Sequence, residues 1–115
     1  MEIRKGVRPQ DIIDTSEYDL AKARVDLLKA EYDAKREVFD TKKANYDAQG
    51  EEYQLLVSRY ETGQITYGKV AEFHQKLEQQ RITLNQLKIE LNFLGEDING
   101  AIDDVDRLYQ ELFVR

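Results

Sequence analysis

The chain has 115 residues, 35% of them charged, with a net charge of −6, a single Pro, six Gly and no Cys. Its length fits one domain, and few Gly and Pro among many Ala, Leu, Glu, Lys and Gln favour long helices over a mixed fold. The absent cysteines remove disulfides and thiolate metal sites, and the acidic balance speaks against nucleic acid, which calls for a basic patch.

Residues 1–9 read as a short lead-in. The stretch MEIRKGVRPQ has no apolar core of a secretory signal, so an intracellular chain, or one without its export signal, is expected. No window approaches the roughly 20 apolar residues of a membrane-spanning helix. Pro9 suits a first helical turn, and the carboxylates of Asp11 and Asp14 suit its positive end. From there to about Thr62 only Gly50 interrupts good helix formers.

Counting in sevens from Tyr18 gives Tyr18, Val25, Tyr32, Phe39, Tyr46, Tyr53 and Tyr60, all apolar or aromatic. Three residues after each come Ala21, Leu28, Lys35, Lys42, Gln49 and Leu56. This is an a/d heptad repeat, the mark of a helix that buries one seam against a partner helix.

Next comes Arg59-Tyr60-Glu61-Thr62-Gly63-Gln64-Ile65-Thr66-Tyr67. Gly63 is suited to the left-handed conformation that ends a helix. Thr66 is expected to start the next one with its side chain as N-cap. These nine residues are expected to form the tip of a helical hairpin.

Beyond the tip the heptads resume. The a positions read Val70, Leu77, Leu84, Leu91, Ile98, Val105 and Leu112, and the d positions Phe73, Gln80, Leu87, Leu94, Ala101 and Leu108. The phase runs through Gly95 and Gly100 without slipping. Interior glycine costs roughly 1 kcal/mol relative to alanine, which many packed heptads absorb. The fold expected is all-α: a long antiparallel two-helix coiled-coil hairpin with arms about 10–62 and 66–113. A bend or break at 95–100, with a short third helix, is the alternative. The whole of 1–115 is expected to be one hairpin domain, with 63–65 as its tip and arms of roughly 75 Å at 1.5 Å per residue.

Folding about Gly63–Ile65 sets residues whose numbers sum to 129 or 130 opposite one another, such as Tyr60 with Val70, Tyr53 with Leu77, Phe39 with Leu91, Tyr32 with Ile98 and Val25 with Val105. Gln49 then meets Gln80, a polar layer of the kind that fixes register.

A second stripe lies on the far side from the seam. Leu20, Ala23, Leu27, Ala30, Ala34, Ala44, Ala48 and Leu55 occupy c and f positions of the first arm, and Ile82, Ile89 and Phe93 those of the second. A helix with one partner needs one apolar stripe. A second stripe marks a further partner, or in its blander reading reflects alanine as a helix former. Self-association is expected through Leu20, Leu27, Ala34, Ala48, Leu55, Ile82, Ile89 and Phe93.

Arg59-Tyr60-x-x-Gly63-x-Ile65-Thr66, followed by Val70, Leu77 and a Leu/Gln/Asn-rich helix, resembles the TolC family of outer-membrane efflux proteins. In that family an Arg-Tyr-x-x-Gly-x-x-[Ser/Thr] segment closes the far end of a coiled-coil hairpin. Arg4-Lys5-Gly6, Asp11-Ile12-Ile13 and Leu20-Ala21-x-Ala23-Arg24 look like a looser echo from the family's other repeat. No alternating strand pattern accompanies them, so the resemblance is confined to the hairpin portion. It implies an oligomer in the cell envelope or periplasm, tied to the membrane only through its parent assembly, whose tip meets an adaptor's helical hairpin. Arg59, Tyr60, Gly63, Ile65 and Thr66 would form that docking surface. The hairpin of a membrane-fusion adaptor, with its Gly-x-Ile-[Ser/Thr] tip, is similar as well.

Chemistry is not expected. His74 is the lone histidine and lacks neighbours for a metal site. Asp103-Asp104-x-Asp106 and Glu96-Asp97 lie in a heptad run without the rest of a calcium loop. No phosphate loop or nucleophile set appears, and paired carboxylates have no apolar cleft to separate their pKa values. The tyrosine ladder at a is read as core rather than as a stacking platform, since no basic groove accompanies it. No enzyme, cofactor, metal or nucleic acid is expected. The rival to the export reading is an intracellular coiled-coil scaffold or regulator that binds a partner helix along Lys35, Lys42, Leu87 and Leu94.

Overall fold

The computed structural model describes residues 14–114. They form two helices, α1 (Ser16–Glu61) and α2 (Tyr67–Phe113), with no strand among the described residues. The fold is the expected all-α antiparallel hairpin. Among the described residues no helix is long and apolar enough to cross a membrane.

The start of α1 differs from expectation. Asp14 and Thr15 stand outside the helix, so α1 begins at Ser16 rather than near residue 10. The Asp14 carboxylate accepts the Ser16 N–H at 2.9 Å, and the Thr15 carbonyl accepts the Asp19 N–H at 2.8 Å. The first of these satisfies a donor left open at any helix start, and the second is the first hydrogen bond of the helix itself. Pro9 and Asp11 lie outside the described residues, as do Arg4-Lys5-Gly6 and Asp11-Ile12-Ile13.

Helix α2 is unbroken through Gly95 and Gly100, so no third helix forms among the described residues. The heptad packing on both sides offsets the roughly 1 kcal/mol that each glycine costs.

Burial follows the a/d reading closely. The buried apolar residues are Val25, Val70, Leu77, Leu91, Leu94, Ala101 and Leu108, and every one is an a or d position. The other a and d residues are half-buried, apart from Lys42 and Tyr60, which are exposed. Tyr60 stands at the open end of the seam beside the turn, and a lysine at d carries its ammonium out to water along its apolar stem.

The described residues divide into two packed units: one runs up to Ala30 and resumes from Gly95, and the other is Glu31–Leu94. In the first, Tyr18 packs edge-on against Phe113 at 5.4 Å and tilted against Tyr109 at 6.2 Å. In the second, the expected polar layer is present. Gln80 Nε2 donates to Gln49 Oε1 at 2.7 Å. Nearer the tip, Tyr53 at a stacks on Phe73 at d at 6.1 Å, and Tyr60 at a meets Tyr67 at e edge-on at 5.6 Å. Both tyrosines thus find ring partners a turn nearer the tip than Leu77 and Val70, the residues set opposite them by number. Stacking and edge-to-face contact favour a ring over an aliphatic neighbour.

Candidate functional site

The tip is built by the backbone. Gly63 has φ +77°, in the left-handed region where a Cβ would be strained. Its N–H donates to the Tyr60 carbonyl at 3.0 Å, and the Gln64 N–H donates to the Arg59 carbonyl at 2.8 Å. These two bonds make a Schellman motif, which satisfies carbonyls that the helix end would otherwise leave open. Thr62 Oγ1 donates to the Arg59 carbonyl as well, at 3.1 Å.

Thr66 occupies the residue before α2, as expected, but caps it differently. Its carbonyl accepts the Lys69 N–H at 3.2 Å, and its hydroxyl has no hydrogen bond among the described residues. The first turn is closed at i→i+3, tighter than an α turn, and the main chain takes the role assigned to the side chain.

Around this turn Ile65 is half-buried, while Arg59, Tyr60, Gly63 and Thr66 are exposed. The turn therefore brings the five tip residues together on one short segment. Tyr67, absent from the expected set, belongs with them. Its ring is 65% exposed and braces Tyr60, and its place next to Thr66 was the signal available in the sequence.

The outer stripe is open to solvent. Leu20, Leu27, Leu55, Ile82, Ile89 and Phe93 are 42–72% exposed, and Ala34 and Ala48 are exposed too. The stripe is flanked by a column that the a/d reading passed over. Asp19, Asp26, Asp33, Asp40 and Asp47 recur at b, with Lys22, Lys29, Arg36 and Lys43 at e. The same count in sevens finds it. Arg36 bridges Asp40 at 3.4 Å and Lys43 bridges Asp47 at 3.1 Å. Exposed pairs of this kind contribute only about 0.3–0.5 kcal/mol each, so the ladder shapes the surface more than it holds the fold.

The mid-arm residues are less available. Leu94 is buried and Leu87 half-buried, and Lys35 pairs with Glu90 at 3.4 Å. His74 is exposed, its ring 5.8 Å from Tyr53. Asp104 lies 4.0 Å from Arg107, which also pairs with Glu111 at 3.1 Å. No group of three or more His, Cys, Asp or Glu able to hold a metal occurs among the described residues. Glu78 is held below the usual carboxylate range by its hydrogen bond to Arg81.

Compared with protein-family models, curated proteins and solved structures, the chain finds no match.

Proposed function

We propose that this chain is a non-enzymatic coiled-coil component of a TolC-like export assembly, docking a partner's helical hairpin through its tip. The observation that carries the reading is the tip itself. The segment Arg59-Tyr60-x-x-Gly63-x-Ile65-Thr66 is closed by a Schellman turn that leaves Arg59, Tyr60 and Thr66 exposed. A rigid turn that presents an aromatic and a cation loses little freedom on binding. The parent assembly would lie in the cell envelope, act as a homo-oligomer and use no cofactor. The hairpin of a membrane-fusion adaptor remains an alternative within the same class, since its tip has the same closing residues.

The scaffold reading needs a partner helix along Lys35, Lys42, Leu87 and Leu94. Burial of Leu94 between the arms leaves that surface the weaker of the two.

The test is binding of an adaptor hairpin to wild type and to Gly63→Leu. A leucine strained at φ +77° disturbs the turn while the seam stays intact. Binding is expected to fall, with the helical signal in circular dichroism nearly unchanged. Intact binding would mean that the tip is only a turn, and loss on changing Lys42 or Leu87 instead would favour the scaffold.

A further inference from the structure

We infer that a cleft beside the Gln49–Gln80 layer binds a small hydroxylated carboxylate of the uronic acid kind. The inference is independent of what the tip docks and of what covers the outer stripe.

Gln49 and Gln80 occupy d positions, and Asn45 and Thr83 flank them at g. With Lys42 and Gln79 they line one cleft of about 240 Å³ within the unit Glu31–Leu94. A water molecule takes about 30 Å³ of the liquid, so the space holds a molecule the size of one sugar. No carboxylate lines it. Its one positive charge is Lys42, which has no ion pair among the described residues; Glu90 of α2 pairs with Lys35 instead, at 3.4 Å. A free ammonium among neutral polar groups selects an anion.

The neutral groups set the rest of the ligand. Thr83 Oγ1 donates to the Gln79 carbonyl at 3.1 Å, so toward the cleft it is an acceptor. Gln80 Nε2 donates to Gln49 Oε1 at 2.7 Å, and Gln80 Oε1 is buried without a partner. A glutamine amide turns readily about its last torsion, and a small turn offers that oxygen to the cleft. Asn45 and Gln79 are exposed, and their amides both donate and accept. Acceptors in want of donors, set beside such amides, match hydroxyl groups. Lys42 matches a carboxylate on the same molecule.

The cleft on the other side of the seam lacks this pattern. It is of similar size, about 230 Å³, and is lined by Lys43, Arg81, Lys88 and Asp47. There Lys43 bridges Asp47 at 3.1 Å and Arg81 bridges Glu78 at 2.9 Å. Two of its three cations are already matched, and Asp47 repels an anion.

The test is a titration of the whole chain with sodium glucuronate, followed by NMR through the side-chain amide signals of Asn45, Gln49, Gln79 and Gln80. The four signals are expected to move together and to saturate. Lys42→Gln changes an exposed side chain and is expected to weaken binding about tenfold or more, the loss of one charged hydrogen bond. Lys88→Gln, in the other cleft, should leave binding unchanged. The Gln49→Leu/Gln80→Leu variant should lose binding while its helical signal in circular dichroism is kept. Acetate and glucose each carry half of the ligand's chemistry and should act only weakly at the same concentration. Four unmoved signals, or a Lys42→Gln chain that binds as the wild type does, would overturn the inference. An equal response to acetate would mean that charge alone is read, and an equal response to glucose that Lys42 has no part; either result overturns it as well.

Discussion

Asp14 shows how one exposed side chain sets where an arm begins. Its hydrogen bond from Ser16 holds the carboxyl below its ordinary value of 3.8. A depressed carboxylate contributes above its unfolded pKa and loses that contribution as pH falls through the folded one. Titration by NMR is therefore expected to give Asp14 a midpoint under 3.8, with the first turn at Ser16–Asp19 fraying through that midpoint. A midpoint at or above the ordinary value would mean that the cap is absent in solution. The start of α1 was hard to read because Pro9, Asp11, Asp14 and Thr15 are all residues that begin helices, and composition does not rank them. Gly63 was legible for the opposite reason: it is the one glycine between the heptad runs, and its φ of +77° is a conformation that glycine adopts most readily. The Thr66 cap was half legible, since its position follows from residue type but the choice between carbonyl and hydroxyl depends on how tightly the first turn winds.

At the scale of the helices, the seam was almost wholly readable, because a strict heptad admits one buried face and one phase. Gln49 opposite Gln80 is the sharpest case, since two polar d residues had to share a layer if the turn lay at Gly63. The layer is imperfectly satisfied: Gln80 Oε1 is buried and has no hydrogen-bond partner. An orphaned polar atom of this kind costs roughly 1–3 kcal/mol, and its removal with its partner leaves apolar surface in a seam that is otherwise leucine and tyrosine. The double variant Gln49→Leu/Gln80→Leu is expected to resist urea better by about 1–2 kcal/mol. Gln80→Leu alone should gain less, because the Gln49 amide then loses its partner within the seam. If the double variant were instead destabilised, the layer would be a source of stability rather than of register. What the heptad count could not supply was the a-to-d ring packing of Tyr53 on Phe73, which depends on how aromatic planes settle between two seams.

For the molecule as a whole, the balance of apolar surface matters most. Among the described residues twelve large apolar side chains are exposed and seven apolar residues are buried, and no large side chain is fully enclosed. A seam this lightly covered gains most of its further stability from whatever covers the outer stripes, and a partner that binds only the folded state raises stability with concentration. If the occupant is another copy, the melting temperature of the wild-type chain rises as its own concentration rises. Phe93→Asp separates that effect from folding of the hairpin. Phe93 is 61% exposed, and a surface substitution away from the seam changes the isolated fold by no more than about 0.5 kcal/mol. At high dilution the variant and the wild type should therefore melt together. At high concentration only the wild type should gain, because an aspartate at that position would be buried against the neighbouring copy without a partner for its charge. A variant that melts lower by the same amount at every concentration would place Phe93 within the hairpin's own stability, and the second stripe would then have no role in assembly.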